Sequence, residues 1–182
     1  MAQLKIYIFL LVCYSAGCSY GQQPEERWTY GEHPVLEWKD FKGMPLLNSN
    51  YSASTNTGLS YSYKVKSDGD QLLITYEVES YFYPGLSWRK YLDERSTALL
   101  KHEQLHWDIT ELYRRILIRA LKNYQTRKQY KKDLKNIYAL AEKKRAALQR
   151  QYDMETRHGL LTGPQLKWEE RIAQELFMTA DL

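Results

Sequence analysis

His102 and His106 stand four residues apart in the stretch HEQLH, with Glu103 directly after the first. On a helix, residues four apart lie one above the other, so the two imidazoles project from one face about one turn apart. That placement supplies two neighbouring corners of a tetrahedral Zn2+ site. Glu103 is rotated about 100° from His102, which keeps it from ligating but leaves its carboxylate near a water held by the ion. The pattern therefore offers two metal ligands and a general base, the set that hydrolytic zinc sites use. The rival reading is a pair of partly buried histidines hydrogen-bonded to core neighbours.

A catalytic zinc needs a third protein ligand and an open fourth position. Ile109 and Leu112 occupy the places of the glycine and third histidine of the longer HExxHxxGxxH motif, so the ligand must come from elsewhere. The chain has four histidines. His158, in YDMETRHG (Tyr152 to Gly159), is the candidate third ligand, returned to the site by a helical hairpin. Glu155 is the alternative, because it follows Tyr152 by three and continues the stripe of a second helix. Asp153 reads as a carboxylate that orients a histidine through its free N–H. Tyr152 and Arg157, by closeness to His158, are candidate donors to a developing oxyanion. His33, beside Pro34, reads as a surface residue.

The elements that carry these residues are visible as periodicity. Thr57, Leu59, Tyr61, Tyr63 and Val65 alternate along one run, and Leu72, Ile74, Tyr76, Val78 and Phe82 along the next, which predicts two strands. Asp68-Gly69 between them is a hairpin signal, and Pro84-Gly85 ends the sheet. A shorter strand is expected over Val35 to Phe41, with Trp38 and Phe41 in the core, and the strand near Tyr76 could offer a free edge to an extended substrate. Ser96 or Thr97 can cap a first helix whose stripe is Leu99, His102, His106, Ile109, Tyr113, Ile116 and Ala120. A second helix is expected from near Thr126, with Tyr130, Leu134, Ile137, Ala141, Leu148 and Tyr152 on its stripe and Gly159 ending it in the left-handed conformation. Thr162-Gly163-Pro164 opens a third, with Leu166, Ile172 and Leu176 as its apolar residues. The expectation is an α+β fold: an N-terminal antiparallel sheet over about 35–84, then helices over about 96–178, in a single domain from 22 to 182.

Met1 to Gly21 has the layout of a secretory signal: Lys5, an apolar run Ile6 to Tyr14, and the small-residue stretch from Ser15 to Ser19. The apolar run is too short to span a bilayer as a mature helix. Cleavage after Gly21 leaves a soluble protein, whereas SAGC resembles a lipoprotein box that would make Cys18 a lipid anchor, the one membrane link expected. Both readings predict an exported protein, periplasmic or extracellular. Cys13 and Cys18 both lie in this segment, so no disulfide framework is available. Without Lys5, 25 basic residues face 22 acidic ones. The lysines and arginines between Lys122 and Arg150 are interleaved with apolar residues at helical spacing, which reads as a solvated helix face and predicts no nucleic-acid partner. The 16 tyrosines and five tryptophans could stack on a substrate, but alternating along strands they read as core and cross-strand pairs.

W-x-D-F-x-G at Trp38 to Gly43, TNTGLSYSY at Thr55 to Tyr63, HEQLHWDITELY at His102 to Tyr113 and YDMETRHG together resemble a bacterial family of uncharacterised exported proteins that carries the label of secreted zinc-dependent proteases. The resemblance runs from about Leu36 to Gly159. It implies a zincin-like plan with one Zn2+ on His102, His106 and His158, and Glu103 as the acid/base. Asp108 also matches, with a structural role or one in support of a metal-binding histidine. The function expected is a zinc metallopeptidase acting on peptide or protein. The alternatives are a noncatalytic, zinc-stapled interaction module of the cell envelope and a zinc amidase acting on a non-protein substrate.

Overall fold

The computed structural model describes residues 26–68, 71–90 and 96–180. The expected signal segment, Cys13, Cys18 and the expected domain start at 22 lie outside the described residues, as do Gly69 and the side chain of Ser96. No helix among the described residues is long and apolar enough to cross a membrane.

The architecture is α+β. Short strands β1 (Trp28–Thr29) and β2 (Ala53–Ser54) precede a hairpin of β3 (Thr57–Asp68) and β4 (Gln71–Phe82), and β5 (Trp88–Arg89) leads to helices α1 (Ser96–Lys122), α2 (Tyr130–Thr156) and α3 (Thr162–Phe177). The two long strands pair antiparallel from Thr57 opposite Phe82 to Asp68 opposite Gln71, so the expected hairpin forms but Asp68 of the expected Asp68-Gly69 turn belongs to β3. β1 joins β4 at its end, giving the order β1-β4-β3, while β2 and β5 form a separate two-stranded sheet.

α1 packs against three sets of neighbours. Leu117 and Leu121 meet Leu59, Val78, Leu134 and Ala141 between the hairpin and α2. Leu105, Ile109 and Leu112 meet Tyr152, Trp168 and Ile172 from α2 and α3. Trp107, fully buried, packs with Leu36, Phe41 and Phe82 from the N-terminal segment and sheet. Truncating a side chain so placed costs about 3–5 kcal/mol.

Several expectations change. The strand over Val35 to Phe41 is instead a 3-10 turn, Trp38–Asp40, because Asp40 Oδ2 accepts the Glu37 N–H at 2.7 Å in a reciprocal cap that closes the chain on itself. Phe41 is nevertheless buried, and Trp38 packs beside it. The glycine of this motif, Gly43, bonds through its N–H to the Ser87 carbonyl at 2.8 Å, and a Cβ there would meet the Gly85 and Ser87 oxygens at 2.8 Å. Ala120 and Leu166 are exposed, as is Leu72 towards the hairpin tip. α2 starts at Tyr130 rather than near Thr126, and it ends at Thr156. Arg157, His158 and Gly159 then follow with φ of 48°, 54° and 77°, so Gly159 is left-handed as expected but two other residues share the turn.

Asp108 takes the structural role. Its Oδ1 accepts the Tyr30 hydroxyl at 2.9 Å and the Gln104 amide at 2.8 Å, and Gln104 also bonds to the Leu36 N–H and the Pro34 carbonyl. Asp108 thereby ties the N-terminal segment to α1 and supports no histidine ring. Burial pushes its pKa up to about 6, against those two hydrogen bonds. The native state then holds this proton more tightly than the unfolded chain does. Its stabilisation is present below about pH 4 and is lost as the pH rises through about 6, on the order of 2–3 kcal/mol in all. Asp108→Asn keeps the acceptor oxygen and has no proton to release. The stability difference between wild type and Asp108→Asn, measured by denaturant unfolding, is therefore expected to shift against wild type across that range; a difference independent of pH would contradict it.

Candidate metal centre and cleft

Three ring nitrogens converge on one carboxylate oxygen. His102 Nε2 and His106 Nε2 lie 3.2 and 3.1 Å from Asp153 Oδ1, and His158 Nδ1 lies 3.3 Å from the same atom. His102, His106 and Asp153 each offer a donor atom, all within 4.8 Å of one another, and could hold a metal ion. Both histidines are buried, on the turns of α1 that pack against α2 and α3. Asp153 comes from the last turn of α2, which packs against α1.

Proton bookkeeping tests whether a cation fits. His102 Nδ1 lies 3.2 Å from Gln165 Oε1, which also accepts the Tyr152 hydroxyl at 2.8 Å. The amide nitrogen of Gln165 donates to Glu169 at 3.0 Å, which fixes the end of the amide that faces His102. His102 thus meets an acceptor at each ring nitrogen, Gln165 Oε1 at Nδ1 and Asp153 Oδ1 at Nε2, and a neutral imidazole has one proton for the two; with that proton on Nδ1, a lone pair faces Asp153 Oδ1. A cation between them satisfies both. His106 Nδ1 is buried and has no partner among the described residues, so nothing there pins its tautomer. Neighbouring donors of a tetrahedral ion with ligands at about 2.0–2.2 Å are about 3.4 Å apart, close to the separations of the two Nε2 atoms from Asp153 Oδ1. Burial opposes charge on His106, but Asp153 and Glu103 outweigh it and raise its pKa; the imidazoles in turn outweigh the burial of Asp153 and hold its carboxyl well below the usual range.

Asp153 thus sits among the donor atoms, not behind a histidine as expected. His158 is at the site but outside the donor group: besides its contact with Asp153, its ring lies edge-on 6.5 Å from that of His102 and 4.4 Å from that of Tyr51, and it is half exposed. Glu155 is turned away, accepting from Trp168 Nε1 and Gln151 Nε2 at 2.8 Å each. The physical reason is helical phase, since two residues beyond Asp153 is about 200° around α2. Tyr152 does not face the cleft either. It is fully buried, its ring stacks 4.5 Å from that of His102, and its hydroxyl is spent on Gln165. Arg157 lines the cleft, exposed. His33 is exposed and stacks on Trp28.

Glu103 lies beside this group without joining it. It is buried, and its Oε2 accepts the Thr55 hydroxyl at 2.6 Å, while Oε1 takes no hydrogen bond from the described residues. Together these residues floor a cleft of about 720 Å3. Its opposite wall is the segment from Asn50 to Thr55, including β2, so the strand beside the cleft is β2 and not the region of Tyr76. Gly159 closes against His102: a Cβ on it would lie 3.0 Å from His102 Cβ. Thr55 and Gln165 are the residues that sequence reasoning missed. Thr55 opens the TNTGLSYSY stretch and so had a signal; Gln165 had none.

No curated protein matches this chain, and no solved structure does. The model of a bacterial protein family of unknown function, DUF922, matches residues 42–159, which include the turn at Gly43, Thr55, the HEQLH helix and the YDMETRHG turn. With well over half of its length matched, the chain belongs to this family.

Proposed function

We propose that the protein is an exported zinc metallopeptidase with a zincin-like arrangement. The observation that carries this reading is Glu103: a buried carboxylate, clamped by Thr55, beside the His102–His106–Asp153 group and open to the same cleft. A metal that serves only to staple the fold has no use for it. Export rests on the signal-like residues 1–21.

Zinc, when bound, would acidify a water and polarise the substrate carbonyl. His102, His106 and Asp153 would hold it, with His158 at the rim. Glu103 would take the proton of the attacking water at Oε1 and pass it to the leaving amine, the Thr55 hydroxyl keeping the carboxylate in place. Arg157 remains as a donor at the cleft for the developing oxyanion. Among the described residues β2 pairs with β5 along one edge, so its other edge suits an extended peptide laid along the cleft.

One observation favours a second reading. His158 and Asp153 together with the two α1 histidines make four protein donors, enough to close a structural zinc site in an envelope interaction module.

Wild type is expected to take up one zinc per chain. His102→Ala and Asp153→Ala should abolish tight uptake, His158→Ala should weaken it, and Glu155→Ala should leave it unchanged, as read by elemental analysis after dialysis against a chelator. Equal loss in Glu155→Ala, or full retention in Asp153→Ala, contradicts the ligand set. Glu103→Gln should keep its zinc and lose about 10²–10⁴-fold in peptide hydrolysis. A zinc-loaded Glu103→Gln protein as active as wild type would sink the peptidase reading.

A further inference from the structure

His102 is the more tightly held of the two histidines, and what holds it comes from α3. Gln165, at the start of α3, is buried and lies six residues past the segment that matches the family. Its Oε1 faces His102 Nδ1 at 3.2 Å and accepts the Tyr152 hydroxyl at 2.8 Å, so both of its lone pairs are used. Its Nε2 donates to Glu169, one turn further along α3, at 3.0 Å. The amide cannot turn round without setting its oxygen against the Glu169 carboxylate. Tyr152 stacks on the His102 ring and Gly159 lies close against its Cβ and ring. His106 has no such support, since its Nδ1 is unpartnered among the described residues.

We infer that Gln165 is a positioning residue of the metal centre, its amide oxygen keeping the proton of His102 on Nδ1 so that Nε2 offers a lone pair to the ion beside Asp153. The inference rests on the metal-centre reading. It makes α3 a working part of the site, through a chain that runs Glu169, Gln165, His102. Hydrogen bonds of this kind to the free nitrogen of a metal-binding histidine fix its tautomer and are worth about 10–100-fold in metal affinity.

Two measurements on the full mature chain test it. The first is made without metal: nitrogen NMR of the histidine rings at about pH 8, above the ordinary imidazole range, is expected to show His102 as the Nδ1–H tautomer in wild type. In Gln165→Met, which keeps the bulk and loses the acceptor, that preference should disappear. The second is zinc affinity by chelator competition, in which Gln165→Met should bind about 10–100-fold more weakly. The swap of Gln165→Glu with Glu169→Gln restores an acceptor to His102 and a donor to that acceptor, and should recover both the tautomer and the affinity. The swap also stands as the test should Gln165→Met fail to fold, because a role confined to packing α3 would leave tautomer and affinity indifferent to which residue accepts. The inference is overturned by a wild-type His102 protonated on Nε2, by Gln165→Met binding zinc as tightly as wild type, or by a folded swap variant that recovers neither property. A wild type that takes up no zinc overturns instead the metal reading beneath it, and is told apart because the failures above occur in protein that binds.

Discussion

The burial of the middle turns of α1 between the sheet, the N-terminal segment, α2 and α3 is the constraint from which the rest follows. A helix so enclosed cannot leave its polar side chains to water, and each one that is buried must find a partner inside the fold. Five such residues lie between His102 and Glu111, and each is answered by a different element. Gln165 of α3 meets His102, Thr55 meets Glu103, Asp153 of α2 meets His106, Thr57 of β3 meets Thr110, and Ser80 of β4 joins Arg114 and Arg115 on Glu111. The polar contacts of one helix therefore fix the placement of the sheet and of both other helices.

The turn after α2 shows the same economy from the other side. Arg157 and His158 both have positive φ, a conformation that costs a residue with a side chain roughly 1–2 kcal/mol. The turn is held by local bonds: the Thr156 hydroxyl donates to the Tyr152 carbonyl and accepts the Gly159 N–H, and the His158 N–H reaches the Asp153 carbonyl. Its product is a sharp return of the chain that sets His158 beside Asp153 and Gly159 against His102. Strain of this kind gathers where geometry is used, and it coincides here with the group that could hold a metal.

Much of this was legible in the sequence. The hairpin and three helices follow from period-two and period-3.6 patterning, and HEQLH on a helix put two imidazoles together before any coordinates. What could not be read depended on contacts that no periodicity encodes. Val35 to Phe41 alternates like a strand, yet a reciprocal cap between Glu37 and Asp40 wins. Glu155 continued the α2 stripe by counting from Tyr152, but its side chain turns to Trp168 of α3, whereas Asp153, one position on from Tyr152, faces α1. Tyr152 looked like a cleft hydroxyl because it neighbours His158 in sequence, and its burial turns it to Gln165 instead. Gln165 itself carries no motif, since a glutamine at a helix start has no spacing that announces a histidine as its partner.

Whether the converging nitrogens and carboxylate hold zinc is read by X-ray absorption at the zinc edge, on protein loaded with one equivalent of zinc. The expected result is a shell of about four nitrogen or oxygen ligands at about 2.0–2.1 Å, with no sulfur and with the outer scattering of at least two imidazoles. Zinc that does not bind, or that binds in a shell of water-like oxygens without imidazole scattering, would contradict it.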